Sequence, residues 1–210
     1  MSTLSYQHIF EPARDPVAAP LLLLHGTGGD EHDLLPVGRQ LAPGAALLSP
    51  RGDVLERGAP RFFKRFAEGV FDLADVERRT HALADFIAAA AREYGFAASR
   101  LTAIGFSNGA NIAASLLLLR PESLAAAVLL RPMVVLEPAA PTDAARPLTG
   151  KRVLISAGSV DPIVPADHPP RLAEIFRRAG AEVTLRTHTA SHGLVPGDFA
   201  SAQEFLRSIA

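Results

Sequence analysis

The segment Ile104-Gly105-Phe106-Ser107-Asn108-Gly109-Ala110 places a serine between glycines two residues to either side. A serine hydroxyl attacks an acyl carbon once a base takes its proton. Gly-x-Ser-x-Gly is the arrangement in which a strand turns sharply into a helix with that serine at the apex. The turn is strained, and side chains at the two flanking positions would clash there, which glycine avoids. A helix opening at Asn108 aims its positive end at the site and favours a developing oxyanion. By itself the pattern is equally a glycine-rich turn. The apolar run before it and the helical stretch after it favour the nucleophile.

A serine nucleophile of this kind needs an acid and then a histidine further along the chain. Val153-Leu154-Ile155-Ser156-Ala157-Gly158-Ser159-Val160-Asp161-Pro162 is an apolar run leading into a loop that carries Asp161, with Pro162 fixing the backbone behind it. The competing reading of Asp161 is a turn former before proline. Leu185-Arg186-Thr187-His188-Thr189-Ala190-Ser191-His192-Gly193 then offers two histidines. His192 is expected as the base, because it lies in the loop after the strand and Gly193 leaves room beside it. His188 ends the strand and is read as a residue that packs or caps.

Leu21-Leu22-Leu23-Leu24-His25-Gly26-Thr27-Gly28-Gly29-Asp30 is a strand followed by a glycine-rich loop. It matches neither phosphate-binding pattern, G-x-x-x-x-G-K-[ST] or G-x-G-x-x-G with a later acid. It suits an oxyanion loop, with the backbone N–H groups of Thr27 and Asn108 as the two donors and His25 holding the loop. A metal site from His25, Asp30, His32 and Asp33 is the weaker alternative, since the two histidines are seven apart, a spacing no recognised ligand motif has. No cofactor and no metal are therefore expected.

These residues need a scaffold. The chain has 210 residues, 48% hydrophobic and 20% charged, with a net charge of −1. That composition is an ordinary globular one. It lacks the basic field that nucleic acid demands, so no nucleic-acid partner is expected. The absence of cysteine excludes disulfides, cysteine-bound zinc and a cysteine nucleophile together. No secretory leader is visible, and the apolar runs, Leu21–Leu24 and Leu116–Leu119 among them, are too short to span a bilayer. A cytoplasmic protein without stable membrane insertion is expected, and a homodimer is compatible with the pattern.

Continuous apolar runs predict buried strands at Leu21–His25, Ala45–Ser49, Leu101–Phe106, Leu124–Leu130 and Arg152–Ala157, with a half-alternating one at Ala181–His188. Helices are predicted at Asp33–Leu41, Leu73–Tyr94 with Gly95 as its stop, Asn108–Arg120, Asp167–Ala179 and Asp198–Ile209. The alternation implies one α/β domain over residues 1–210, a mostly parallel open sheet with helices on both faces and little or no lid. In such sheets ligands sit beyond the carboxyl ends of the strands.

His25-Gly26-Thr27-Gly28-Gly29, Gly105-Phe106-Ser107-Asn108-Gly109, Gly158-Ser159-Val160-Asp161-Pro162-Ile163-Val164-Pro165 and Ser191-His192-Gly193 occur in this order. Together they resemble the phospholipase/carboxylesterase family of α/β-hydrolases, which includes small bacterial carboxylesterases and acyl-protein thioesterases. The resemblance runs from about Leu21 to the end of the chain. It implies a compact, nearly lidless, cofactor-free hydrolase of short or medium acyl esters, with Ser107 as nucleophile, Asp161 as acid, His192 as base, and Thr27 and Asn108 as oxyanion donors. Thioesterase or lysophospholipase activity on the same residues is the neighbouring alternative. A catalytically silent binding protein on the same scaffold is the alternative of a different class.

One stretch departs from the family. Arg57-Gly58-Ala59-Pro60-Arg61-Phe62-Phe63-Lys64-Arg65-Phe66 replaces the usual aromatic-Asp segment and looks like a subgroup of hydrolases linked to quinone and aromatic-compound stress. Residues Pro60 to Phe71 hold four of the 11 phenylalanines. Two readings compete there: rings seating the loop on the core, or Phe62, Phe63 and Phe66 lining a substrate pocket with Met133, and Arg61 or Lys64 at its rim.

Overall fold

The computed structural model describes residues 4–137 and 146–209. Its strands are β1 (His8–Glu11), β2 (Leu21–Leu24), β3 (Leu47–Pro50), β4 (Val54–Glu56), β5 (Ala59–Arg61), β6 (Arg65–Ala67), β7 (Val70–Phe71), β8 (Thr102–Phe106), β9 (Ala126–Leu130), β10 (Arg152–Gly158) and β11 (Glu182–His188). Its helices are α1 (Leu35–Leu41), α2 (Leu73–Tyr94), α3 (Asn108–Leu119), α4 (His168–Arg178) and α5 (Pro196–Ile209). Seven strands form the central sheet in the order β1-β3-β2-β8-β9-β10-β11. All pairings are parallel except β1 against β3.

The strand runs explain the two-faced core. Leu22, Leu24, Leu48, Ala103, Ala127, Leu129, Val153 and Ile155 pack with α2, α3 and α4. Their alternates Leu21, Leu23, Leu47, Ile104, Val128, Leu130 and Leu154 pack with α1 and α5. A strand buried on both faces has no polar side to present, hence the unbroken apolar runs. Ten of the twelve residues of α3 are buried, so its sequence shows no amphipathic stripe. In α2, Asp72 caps the first turn by accepting from the Asp75 N–H at 3.1 Å, and Gly95 ends it at φ 71°.

The differences from expectation lie at element ends and in short elements. α1 starts at Leu35, not Asp33, and α5 at Pro196, not Asp198. The strand expected at Ala45–Ser49 is Leu47–Pro50. β1 carries mixed types and is only half-buried, and β4 to β7 form two small hairpins of two- and three-residue strands. Segments so short carry no readable period. Among the described residues no helix is long and apolar enough to cross a membrane.

The parallel strands share one direction, so the loops after β2, β8, β9, β10 and β11 gather at one edge. Those loops carry His25 to Gly29, Ser107, Arg131 to Met133, Asp161 and His192.

Candidate active site

Ser107 sits between β8 and α3 at φ 51°, ψ −114°, a left-handed backbone that a residue with a side chain adopts only under constraint. Its N–H donates to the Leu130 carbonyl at 2.8 Å, and its carbonyl accepts from Asn111 N–H at 2.9 Å. A Cβ on Gly105 would lie 2.5 Å from the Gly109 carbonyl oxygen, and one on Gly109 would lie 1.9 Å from that of Leu24. The two glycines thus allow α3 to start directly against the ends of β8 and β2.

His192 accepts at Nε2 from Ser107 Oγ at 2.8 Å and donates from Nδ1 to Asp161 Oδ2 at 2.8 Å. Asp161, expected as either acid or turn former, contacts the His192 ring and also shapes its own turn. Its Oδ1 takes the N–H groups of Ile163 at 2.8 Å and Val164 at 3.1 Å while Oδ2 holds His192. Burial alone would raise its pKa, but the Ile163 N–H, His192 and the Val164 N–H outweigh burial and hold it below the ordinary carboxylate value. The Phe106 ring lies 5.4 Å from the His192 ring.

Two expectations about the second histidine segment need correction or completion. A Cβ on Gly193 would meet open space, so glycine is not needed there for clearance. The Gly193 carbonyl instead accepts from Arg131 Nη2 at 3.0 Å. His188 turns to α5, 3.4 Å from Ser201 Oγ, and does not join Ser107.

His25 is buried and bridges two loops. Its Nδ1 donates to the Gly26 carbonyl at 2.7 Å, and its Nε2 accepts the Gly52 N–H at 2.9 Å. That pattern requires the neutral ring, and burial lowers its pKa from the usual histidine value. Thr27 follows at the surface, its Oγ1 accepting from Arg61 Nη1 at 2.6 Å. Asn108, as the first residue of α3, has a backbone N–H with no carbonyl four residues back to meet. Its side-chain Oδ1 accepts the Phe62 N–H at 2.8 Å.

A cavity of about 220 Å³ opens beside Ser107, Asn108, Thr27 and His192. Met133, Phe71, Phe106 and Ile163 supply its apolar wall, and Arg61, Arg65 and Glu68 its charged one. The expected pocket phenylalanines are elsewhere. Phe62 and Phe63 are 1% and 0% exposed and belong to the core cluster of α2 and α3, their segment being bonded to the start of α3 through the Phe62 N–H on Asn108 Oδ1. Phe66 stands 76% exposed on the β6–β7 hairpin. Arg61 is a buried wall residue, 2% exposed, and Lys64 points to solvent.

The residues unforeseen here are Asn111 and Arg131. Asn111 Oδ1 accepts the Met133 N–H at 2.7 Å and so sets one cavity wall. An asparagine three residues after Asn108 on an otherwise apolar helix is the available signal, since a buried amide needs a partner. Arg131 is 1% exposed at φ 56°, directly after the apolar run of β9.

The chain compares closely with known proteins. The family model described as Phospholipase/Carboxylesterase matches residues 5–210. MhqD of Bacillus subtilis (strain 168) is 43% identical over 201 residues, 96% of this chain and 98% of MhqD. The crystal structure of the Bacillus cereus carboxylesterase superposes with a TM-score of 0.93 at 42% identity, covering 100% of this chain and 97% of that one. A carboxylesterase from Mesorhizobium loti superposes with a TM-score of 0.84 at 36% identity, over 93% and 90% of the two chains. With an open, mostly parallel sheet, helices on both faces and a match along nearly its whole length, the chain belongs to the phospholipase/carboxylesterase family and is a carboxylesterase-type hydrolase of the α/β-hydrolase fold.

Proposed function

We propose that this hydrolase cleaves small carboxylic esters through an acyl-enzyme on Ser107, with His192 as general base, Asp161 as its orienting acid, and the N–H groups of Thr27 and Asn108 as oxyanion donors. The observation that carries the reading is the unbroken hydrogen-bonded chain from Ser107 Oγ through His192 to Asp161, at 2.8 Å and 2.8 Å, at the mouth of the cavity.

In the forward step Ser107 Oγ bonds to the acyl carbon as its proton passes to His192 Nε2. Asp161 stabilises the imidazolium without taking the proton. The carbonyl oxygen becomes an oxyanion against Thr27 and Asn108, at the positive end of α3. Collapse breaks the bond to the leaving alkoxide, which takes the proton from His192. Water then repeats the sequence on the acyl-enzyme and releases the acid. A cavity of about 220 Å³ is smaller than the ~300–1,000 Å³ typical of sites for drug-sized ligands. It favours short acyl groups over long ones, which weighs against lysophospholipase activity, while oxygen esters and thioesters of equal size remain alternatives on the same residues.

The test uses a serine-directed phosphonate and the Ser107→Ala variant on a panel of aryl esters and thioesters of graded acyl length. Wild type is expected to label at Ser107. Ser107→Ala is expected to lose at least about a hundredfold in kcat while keeping its melting temperature. An unlabelled wild type with no turnover of any ester would favour a silent binding protein.

A further inference from the structure

Arg131 has all its donors engaged out of reach of solvent. Nη1 and Nη2 fork onto Asp198 Oδ1 and Oδ2, both at 2.7 Å, and neither side chain has measurable exposure. Nη1 also reaches the Ser156 carbonyl at 3.2 Å. Nε donates to the Ser191 carbonyl at 3.1 Å, and Nη2 to the Gly193 carbonyl at 3.0 Å. Those two carbonyls stand immediately before and after His192. Asp198 closes the network by accepting from Ser156 Oγ at 2.6 Å and from the Val195 N–H at 2.8 Å.

As a stability device this arrangement is a poor one. A buried ion pair is often no better than apolar residues of the same volume, because both charges lose their water. Arg131 also holds a left-handed φ of 56°, which costs further free energy. An apolar pair could fill the space but could not donate to the carbonyls at 191 and 193. Before His192 the loop is also held at Ala190, whose carbonyl accepts the Val160 N–H at 3.1 Å, but Ser191 and Gly193 are exposed and nothing lies within 4 Å of where a Gly193 Cβ would be.

We propose that Arg131 is a positioning residue: its guanidinium, aimed by Asp198, grips the backbone on both sides of His192 and sets the height and tilt of the ring between Ser107 and Asp161. The base is thereby tied to the ends of β9 and β10 and the start of α5, three rigid elements, in addition to the Ala190 anchor of its own loop. This rests on the reading of His192 as the base.

The experiment compares wild type with Arg131→Lys and with the double variant Arg131→Met/Asp198→Asn. Lysine keeps a charge for Asp198 but cannot fork to two carbonyls. The double variant removes the buried charge on both sides, while the amide introduced by Asp198→Asn retains an acceptor. Melting temperature, kcat, KM, the rate of phosphonate labelling at Ser107 and the Nδ1 proton resonance of His192 are read for each. In whichever variant melts well above assay temperature, kcat and the labelling rate are expected to fall about 10- to 100-fold at nearly unchanged KM. The His192 Nδ1 proton signal is expected to be sharp in wild type and to broaden in that variant. A variant that melts lower yet keeps kcat, labelling rate and the Nδ1 signal within twofold of wild type overturns the proposal and leaves Arg131 a packing residue. Failure of the underlying reading looks different, since wild type itself would then not label at Ser107.

Discussion

At the scale of single residues, the chemistry depends on which proton sits where. Asp161 accepts two backbone N–H bonds through Oδ1 and has only Oδ2 for His192. In Asp161→Asn the amide oxygen can keep the first role, but its NH2 facing Nδ1 forces the ring into the wrong tautomer, with its proton on Nε2 and no base left for Ser107. Asp161→Asn is expected to lower kcat about 10³- to 10⁴-fold with the melting temperature little changed, as steady-state kinetics and thermal melts will show. Arg61 shows how a plausible substrate-binding charge is already committed. Its Nη1 supports Thr27, its Nε donates to the Phe63 carbonyl at 3.2 Å, and its nearest acid, Glu56, is 3.5 Å away. Burial, and then the neighbouring Arg65, push its pKa below the usual arginine value.

At the scale of elements, the short segment around β5 matters more than its length suggests. The Pro60 carbonyl accepts the Gly28 N–H at 2.9 Å, Arg61 holds the Thr27 hydroxyl, and the Phe62 N–H holds Asn108 Oδ1. Three consecutive residues thus brace both sides of the proposed oxyanion site. What seats the brace is the burial of Phe62 and Phe63 behind it, Phe62 against His25 at 4.8 Å and Phe63 edge-on to Phe71 at 5.6 Å between ring centroids. Phe62→Ala and Phe63→Ala are each expected to cost about 3–5 kcal/mol of stability. Turnover of aryl and alkyl esters should fall by similar factors. Denaturant unfolding and parallel kinetics on both ester classes check this, and a loss confined to aryl esters would return the rings to the pocket.

At the scale of the molecule, stability against pH follows from the groups whose environment changes on folding. The pKa of His25 is lowered in the folded state, so the unfolded chain binds the proton more readily. The resulting stability is complete above the unfolded value of about 6.5 and declines as pH falls below it. The pKa values of Asp161 and Asp198 are lowered too. Their contributions are complete above the unfolded value of about 3.9 and are lost as pH falls through the folded values. Tyr6 is raised, chiefly by burial, so its contribution is complete below about pH 10 and is lost above it. The melting temperature is expected to be flat between about pH 7 and 9, to decline below about 6.5 and again below about 4, and to fall above about 10. Calorimetry across that range tests it, and the first acid decline should shrink in His25→Asn, the remainder coming from His168, whose pKa burial also lowers.

Much of this was legible in residue order alone. Parallel strands buried on both faces leave continuous apolar runs, and α2 shows its apolar face and its Gly95 stop, because these features depend on neighbours close in the chain. The Gly105 and Gly109 spacing around Ser107 is a local steric demand of the same kind. What the sequence could not decide is contact between distant segments. Whether Phe62 and Phe63 face a ligand or the core depends on how the segment around β5 meets Gly28 and Asn108, and hydrophobicity reads the same in both places. The role of Arg131 depends on Asp198 and on the Ser191 and Gly193 carbonyls, 60 and more residues away in the chain. Backbone carbonyls are identical at every position, so no residue type announces that two of them will be held. Only the tertiary fold, by closing β9, β10 and α5 around one buried charge pair, brings them together.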